Sequence, residues 1–266
     1  MTASYVIGGG GPGKDRLRLL SEVLFPTTSR LLRETGLARG MRCLDVACGG
    51  GHVTLFLARE VGPEGSVVGT DADAEIIALA RADAAAEGLR NVEFREADVQ
   101  REAGAERQDL IYARFILSHL RDPQAGVEAM LRASRPDGVI VIEDIDFSGS
   151  FCHPYTPAYE RYVELYQQVV QRRGSDPNIG PRLPGLLRDA GFRDVRVNIV
   201  QPAFCEGPGK DVASITLQRI APSLLAEGLA SAEEIDEIVM GLETAAADRH
   251  TLIALPRIFQ CSARCG

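Results

Sequence analysis

The 266-residue chain has no tryptophan, four histidines and four methionines, and its basic residues are 27 arginines against two lysines. Positive charge is in deficit: 29 basic residues face 37 acidic ones, for a net charge of −8 and a pI of about 5.2. That balance excludes a general nucleic-acid-binding face. No apolar run approaches the roughly 18 residues of a membrane-crossing helix, and no signal peptide opens the chain. A soluble, cytoplasmic protein with no nucleic-acid and no membrane partner is the expectation. The cysteines at 43, 48, 152, 205, 261 and 265 form no C-x-x-C pair and show no metal-ligand spacing, so no metal is expected. Cys43 and Cys48 fall in a core strand and its turn, where buried free thiols are the default.

What is present is an alternation of strands and helices. Apolar spacing from Arg16 to Thr35, interrupted by Pro26, predicts a kinked helix pair. Strands are predicted over Met41–Ala47, Ser66–Thr70, Val92–Glu96, Leu110–Ala113 and Gly138–Ile142. Helices are predicted over Val53–Val61, Ala74–Glu87 and Pro123–Ala133. This cadence means a doubly wound parallel sheet. It breaks at an extra amphipathic helix over 155–173 carrying Tyr155, Tyr159, Tyr162 and Tyr166. It resumes with helix Leu183–Ala190 and strand Val195–Val200, followed by two or three helices over 210–248 and a terminal strand Thr251–Cys261.

The most informative stretch is residues 43–53. An apolar strand ends on Asp45, a turn of Gly49, Gly50 and Gly51 follows, and a helix begins near His52. Glycines there let backbone approach a ligand closely. The dinucleotide fingerprint requires a small residue where Thr54 stands, and an acid ahead of the glycines sits badly beside a pyrophosphate. Gly8 to Lys14 imitates a phosphate-binding loop, but Asp15 replaces the hydroxyl residue and no core strand feeds it.

Asp45 with Gly49 and Gly51, then Asp71, then Asp98, resembles the class I S-adenosylmethionine-dependent methyltransferase family. The segment from Asp109 to Leu120 and the later Arg135-Pro-Asp-Gly are similar to its strand-four and strand-five signatures. The resemblance runs from about residue 38 to 145, with a weaker echo at Leu186–Val197. It implies a Rossmann-like, doubly wound, mostly parallel seven-stranded sheet with a helical cap. The expected division is an N-terminal helical lid segment (1–36), an S-adenosylmethionine-binding core (37–146), an inserted helical cap (147–180) and the remainder of the core with extra helices (181–266).

Site roles follow as expectations. Asp71, 20 residues after Gly51, accepts from the ribose hydroxyls, with Ala72 beside it. The Gly49–Gly51 turn packs on the amino-acid part of the cofactor, and Asp45 holds its ammonium group or merely stabilises the turn. Asp98 faces the adenine amino group, with Val99 offering a backbone N–H, or is a plain loop acid. Backbone around Ala113 and Arg114 finishes the methionine end, while Tyr5 and Arg16 are lid contacts.

The expected reaction is methyl transfer from S-adenosylmethionine to oxygen or nitrogen, less readily carbon, of a small-molecule metabolite, with S-adenosylhomocysteine as product. The alternative is a cofactor-binding protein with a non-methylating catalytic or regulatory role. A base serves a hydroxyl or acidic-carbon acceptor, and the candidates are His119 and then His153. His119 is also readable as a histidine packing or capping within its helix. Glu143, Asp144 and Asp146 cluster at the end of the fifth strand, where one lining the pocket would suit an amine. A homodimer is among the assemblies the chain allows.

Overall fold

Burial follows the two-residue period of the predicted strands. In β1 (Arg42–Val46), Leu44 and Val46 face one side of a sheet, and Cys43 and Asp45 face the other. The computed structural model describes residues 11–101 and 107–266. Helix α1 (Gly11–Glu34) precedes β1, and α2 (His52–Val61) follows it. The chain continues through β2 (Ser66–Asp71), α3 (Ala74–Ala86), β3 (Val92–Glu96), β4 (Gln108–Arg114), α4 (Pro123–Ala133) and β5 (Ser134–Asp146). Then come β6 (Phe151–His153), α5 (Pro157–Arg172), α6 (Leu183–Asp189), β7 (Arg193–Val200) and β8 (Ala203–Phe204). Helices α7 (Val212–Ala226) and α8 (Ala232–Ala247) lead to β9 (Leu252–Ala254) and β10 (Arg257–Arg264).

Seven strands form one sheet in the order β3-β2-β1-β4-β5-β10-β7, parallel except for β10. This is the expected Rossmann-like, seven-stranded, mostly parallel sheet. The order reverses between β1 and β4. Strand ends on either side of such a reversal leave a crevice at the carboxyl edge, where α/β proteins bind ligands. Both faces are covered: Leu44, Ile111 and Ile142 pack under α4 and α6, while Tyr112, Val141 and Val67 pack under α1 and α2. Burying each such side chain contributes about 1.5–3 kcal/mol.

Two expectations change, and one small sheet is new. Residues 11–34 are a single helix with Pro26 inside it. Burial of Leu24, Leu31 and Leu32, and the Thr27 hydroxyl donating to the Leu24 carbonyl at 2.9 Å, carry it through the proline. The terminal strand is divided at Leu255-Pro256 into β9 and β10, which join different sheets; proline cannot donate to a ladder. The antiparallel trio β6-β9-β8 left no legible signal, because its strands are two or three residues long. Tyr5 and residues 8–10 of the glycine run lie outside the described residues, and Arg16 is described only as part of the α1 backbone.

Above the carboxyl edge, α5, α7 and α8 share a second apolar core with Ile145, Phe147 and Ile253. Tyr159, Tyr162 and Tyr166 are buried in it, and Phe147 stacks on Tyr166 with ring centroids 3.8 Å apart. Tyr155 is 68% exposed and donates to Glu160. The helices over 210–248 therefore complete the same cap as α5. No helix of the described residues is long and apolar enough to cross a membrane.

Candidate active site

The crevice is a cavity of about 760 Å³ between the carboxyl ends of β1, β2 and β4 and the underside of the cap. Its two ends differ in chemistry. Asp45, Asp71, Asp73 and Asp98 line the end at the strand tips, and among the described residues these are the carboxylates that line the cavity. The other end is walled by Phe115, Ile116, Phe147, Tyr159, Tyr162 and Tyr166.

The strand-tip end is built by short-range geometry. Ala47, Gly49 and Gly51 all take positive φ (54°, 52° and 78°), which turns the chain from β1 into α2. The Cys48 N–H ties this turn to β2 by donating to the Thr70 carbonyl at 2.8 Å. Asp71 holds it from the other side. Its two carboxylate oxygens accept from the Gly49 N–H at 2.9 Å and the Asp73 N–H at 3.0 Å. Burial raises the Asp71 carboxyl above the usual range, opposed by those backbone bonds. Asp73 caps α3 by accepting from the Glu75 and Ile76 N–H groups. Asp98 accepts from the Gln100 N–H at 3.0 Å, and its neighbour Val99 is buried.

Asp45 is buried, and its Oδ2 accepts from the Thr54 hydroxyl at 2.6 Å. Desolvation pushes its carboxyl up to about 7, with the Thr54 bond and the nearby Arg114 charge pulling the other way. Thr54, which at the sequence level only argued against a dinucleotide, is the partner of the central acid. It stands two residues into α2, on the turn of helix facing β1, a placement visible only once strand and helix are packed.

The predicted site residues divide. Asp45, Gly49, Asp71 and Ala72 line the cavity, as do Asp98, Val99, Arg114 and His119. Gly51 does not: it sits behind the turn as the α2 N-cap, where a Cβ would come within 2.9 Å of the Phe94 ring. Its glycine is a packing requirement. Ala113 is fully buried in the core, paired with Val46 and Ile142. His153 is exposed at the end of β6 and does not line the cavity.

The strand-five acids also turn away from the cavity. Glu143 accepts from Thr28 at 2.7 Å, Tyr112 at 2.5 Å and Gln260 at 2.7 Å. Asp144, raised to about 6 by burial, accepts from the Ser118 and Ile145 N–H groups. Asp146 accepts from Ser148 and pairs with Arg257 at 2.7 Å. All three are buried groups committed to the scaffold. Asp144 nevertheless bears on the site, because it pins the turn Leu117–His119 that presents His119. The His119 carbonyl is held in turn by the Ser175 hydroxyl at 3.0 Å. Among the described residues no group of three potential metal ligands assembles.

The residues that reasoning from sequence missed are mostly apolar. Phe115, at φ 55°, and Phe147 shape the second end. Leu20 and Leu24 of α1 close one side.

The chain was compared with known proteins. Residues 37–173 match a family model described as a methyltransferase domain. The chain is 30% identical over 172 residues to phosphoethanolamine N-methyltransferase 1 of Arabidopsis thaliana, covering 64% of this chain and 32% of that protein. It is 27% identical over 185 residues to demethylmenaquinone methyltransferase of Lactococcus lactis, covering 62% of this chain and 70% of that one. Among solved structures, a SAM-dependent methyltransferase from Aquifex aeolicus superposes with a TM-score of 0.54 at 19% identity, covering 90% of this chain and 89% of the other. That likeness establishes the shared fold.

Proposed function

Because the chain belongs to the methyltransferase domain family, a class I S-adenosylmethionine-dependent group, we propose that it methylates a hydroxyl oxygen on an apolar, ring-bearing small molecule. The carrying observation is the division of the cavity. Among the described residues, carboxylates line the strand-tip end alone, and aromatic rings wall the other. The acid-rich end suits a nucleoside carrying sulfonium and ammonium charges, with Asp71 toward the ribose, Asp98 and the Val99 N–H toward adenine, and Asp45 toward the ammonium. The family relatives named above include proteins whose names specify a nitrogen-bearing and a quinone-type acceptor, so family membership leaves the acceptor atom open. Among the described residues no carboxylate lines the aromatic end to hold an ammonium, and the cations Arg121 and Arg173 line the same cavity, which favours a neutral hydroxyl acceptor and hence oxygen over nitrogen, with carbon third.

The cofactor, when bound, supplies a methyl group already activated on sulfur and leaves as S-adenosylhomocysteine. The protein's part is alignment and exclusion of water. Phe115, Phe147 and Tyr162 hold a planar acceptor by ring contact, and α1 and α5 cover it. His119, fixed by the Asp144-pinned turn, accepts the hydroxyl proton as the new oxygen–carbon bond forms.

Methyl transfer to a matched panel of phenols, anilines and alkylamines tests this reading. Phenols are the expected products, with His119→Ala lowering kcat roughly 10²-fold or more and His153→Ala leaving it unchanged. Transfer to alkylamines alone, or a His119→Ala enzyme as fast as the parent, would overturn it.

A further inference from the structure

Besides Arg114, two cations line the cavity, Arg121 and Arg173, and their surroundings differ. Arg173, the C-cap of α5, is neutralised. Its Nε donates to the Glu227 carboxylate at 3.3 Å and a terminal nitrogen donates to the Ser223 hydroxyl at 2.8 Å, which ties the end of α5 to the end of α7. Arg121 is exposed at the rim, and its Nε donates to the Arg173 carbonyl at 3.3 Å. The last carbonyls of a helix carry partial negative charge and hold a cation there. Among the described residues no carboxylate pairs with Arg121. Asp122, the nearest acid in sequence, is committed to capping α4, where it accepts from the Ala125 N–H at 3.0 Å. The two terminal nitrogens of Arg121 are left as a planar, charged fork, the shape that matches a carboxylate.

The fork stands on a doubly fastened mount. The Ser175 hydroxyl donates to the His119 carbonyl at 3.0 Å, and the Arg121 Nε donates to the Arg173 carbonyl, so two bonds tie residues 119–121 to the turn 173–175. Gly174, at φ 77°, lies in that turn against the Arg121 side chain. One short loop therefore presents both His119 and Arg121 to the cavity, two residues apart. From the other side, Tyr159, Tyr162, Tyr166 and Arg173 follow the three- and four-residue spacing of one helix face. At 1.5 Å per residue, the end of α5 lies about 10 Å beyond Tyr166. The aromatic wall thus leads from its rings to the Arg121 fork.

We propose that Arg121 binds a carboxylate carried by the methyl acceptor, so that the substrate is a hydroxylated aromatic acid. Its ring lies between Phe147 and Tyr162 and its acid group at the rim. This rests on the reading of oxygen methylation above and narrows it, since the hydroxyl goes to His119 and the carboxylate to Arg121 on the same loop. An apolar pocket holds a ring without fixing its direction, and one charged group at the mouth supplies the direction. The same fork repels an alkylammonium, so it selects against amines as well as for acids.

The test uses the full chain and two matched pairs of probes. Para-hydroxycinnamate and para-hydroxycinnamamide are compared as methyl acceptors. Cinnamate and cinnamamide, which lack the hydroxyl, are compared by calorimetric binding to the protein loaded with S-adenosylhomocysteine. The parent should favour the acid roughly fivefold or more in both assays, as a charge-assisted contact at a partly solvated rim implies. Arg121→Gln should remove the preference, through KM rather than kcat in the first assay. Equal handling of acid and amide by the parent overturns the proposal, as does failure of both cinnamate and cinnamamide to bind. So does a preference that survives Arg121→Gln, or a weakening of acid and amide alike in that variant, the mark of a merely structural arginine. The two assays separate this proposal from the reading beneath it. An Arg121-dependent preference in binding with no phenol methylated keeps the carboxylate site and sinks oxygen transfer, whereas methylation of acid and amide alike does the reverse.

Discussion

The two ends of the cavity are built on opposite plans. At the strand-tip end, the acids stand in or just after the last residues of their strands, and the partners of Asp71 are neighbours in sequence or across one ladder, Asp73 and Gly49. The aromatic end draws Phe115, Phe147, Tyr162, Val212 and Leu255 from five separated segments, and only packing brings them together. Backbone geometry fixes the first end, and burial of apolar surface holds the second. An end built on strand tips can be common property of a fold, whereas an end built from inserted segments is free to vary with each chain.

This contrast can be broken by substitutions that respect it or violate it. The largest effect should come from Phe147→Ala, which removes the ring stacked on Tyr166 and shared by wall and cap core. We expect a loss of about 3–5 kcal/mol of stability in denaturant titration, with cofactor affinity preserved within about twofold because the two ends are separate. A comparable fall in cofactor affinity would show that the ends are one unit. Asp71→Ala should do the reverse: cofactor affinity falls roughly tenfold or more by calorimetry, the worth of a hydrogen bond to a charged group, with the apolar wall unaltered.

The most diagnostic effect concerns Asp45. Its carboxyl is raised by burial from an ordinary value of 3.8 to about 7. A raised carboxyl stabilises the ligand-free fold below its ordinary value and loses that contribution as pH rises toward and through about 7. The melting temperature of the free protein should therefore drop by roughly 2–4 °C per kcal/mol lost between about pH 5 and about pH 8, relative to Asp45→Asn. Affinity for the cationic cofactor should rise over the same interval, as Asp45 ionises, and Asp45→Asn should flatten both profiles. Parallel pH profiles in parent and variant would remove Asp45 from the site.

Much of this was legible beforehand, for definite reasons. The strands β1, β2 and β3 and helices α2 and α4 match the expected spans closely because period and stop signals are local. Asp45, Asp71 and Asp98 could be placed because a strand's last residues must emerge at the sheet's carboxyl edge. Gly51 and Ala113 were assigned to the cofactor by motif position, yet one packs against Phe94 and the other into the core. A motif gives the turn and does not say which side of it faces the ligand. His153 and the three strand-five acids failed for a related reason, since adjacency to a strand end does not fix the direction of a side chain.

By itself, then, the sequence determined the main strands and helices and the acids at the strand ends, since periodicity, turns and caps are properties of neighbouring residues, whereas the strand order and its reversal point came from the structure. Tertiary structure alone decided that Thr54 holds Asp45, that Thr28 and Glu143 lie 115 positions apart yet within 2.7 Å, and that the tyrosines of α5 look into the same cavity. Those pairings arise when separate apolar faces are buried against one another, and no local pattern encodes which buried polar group will then find which partner.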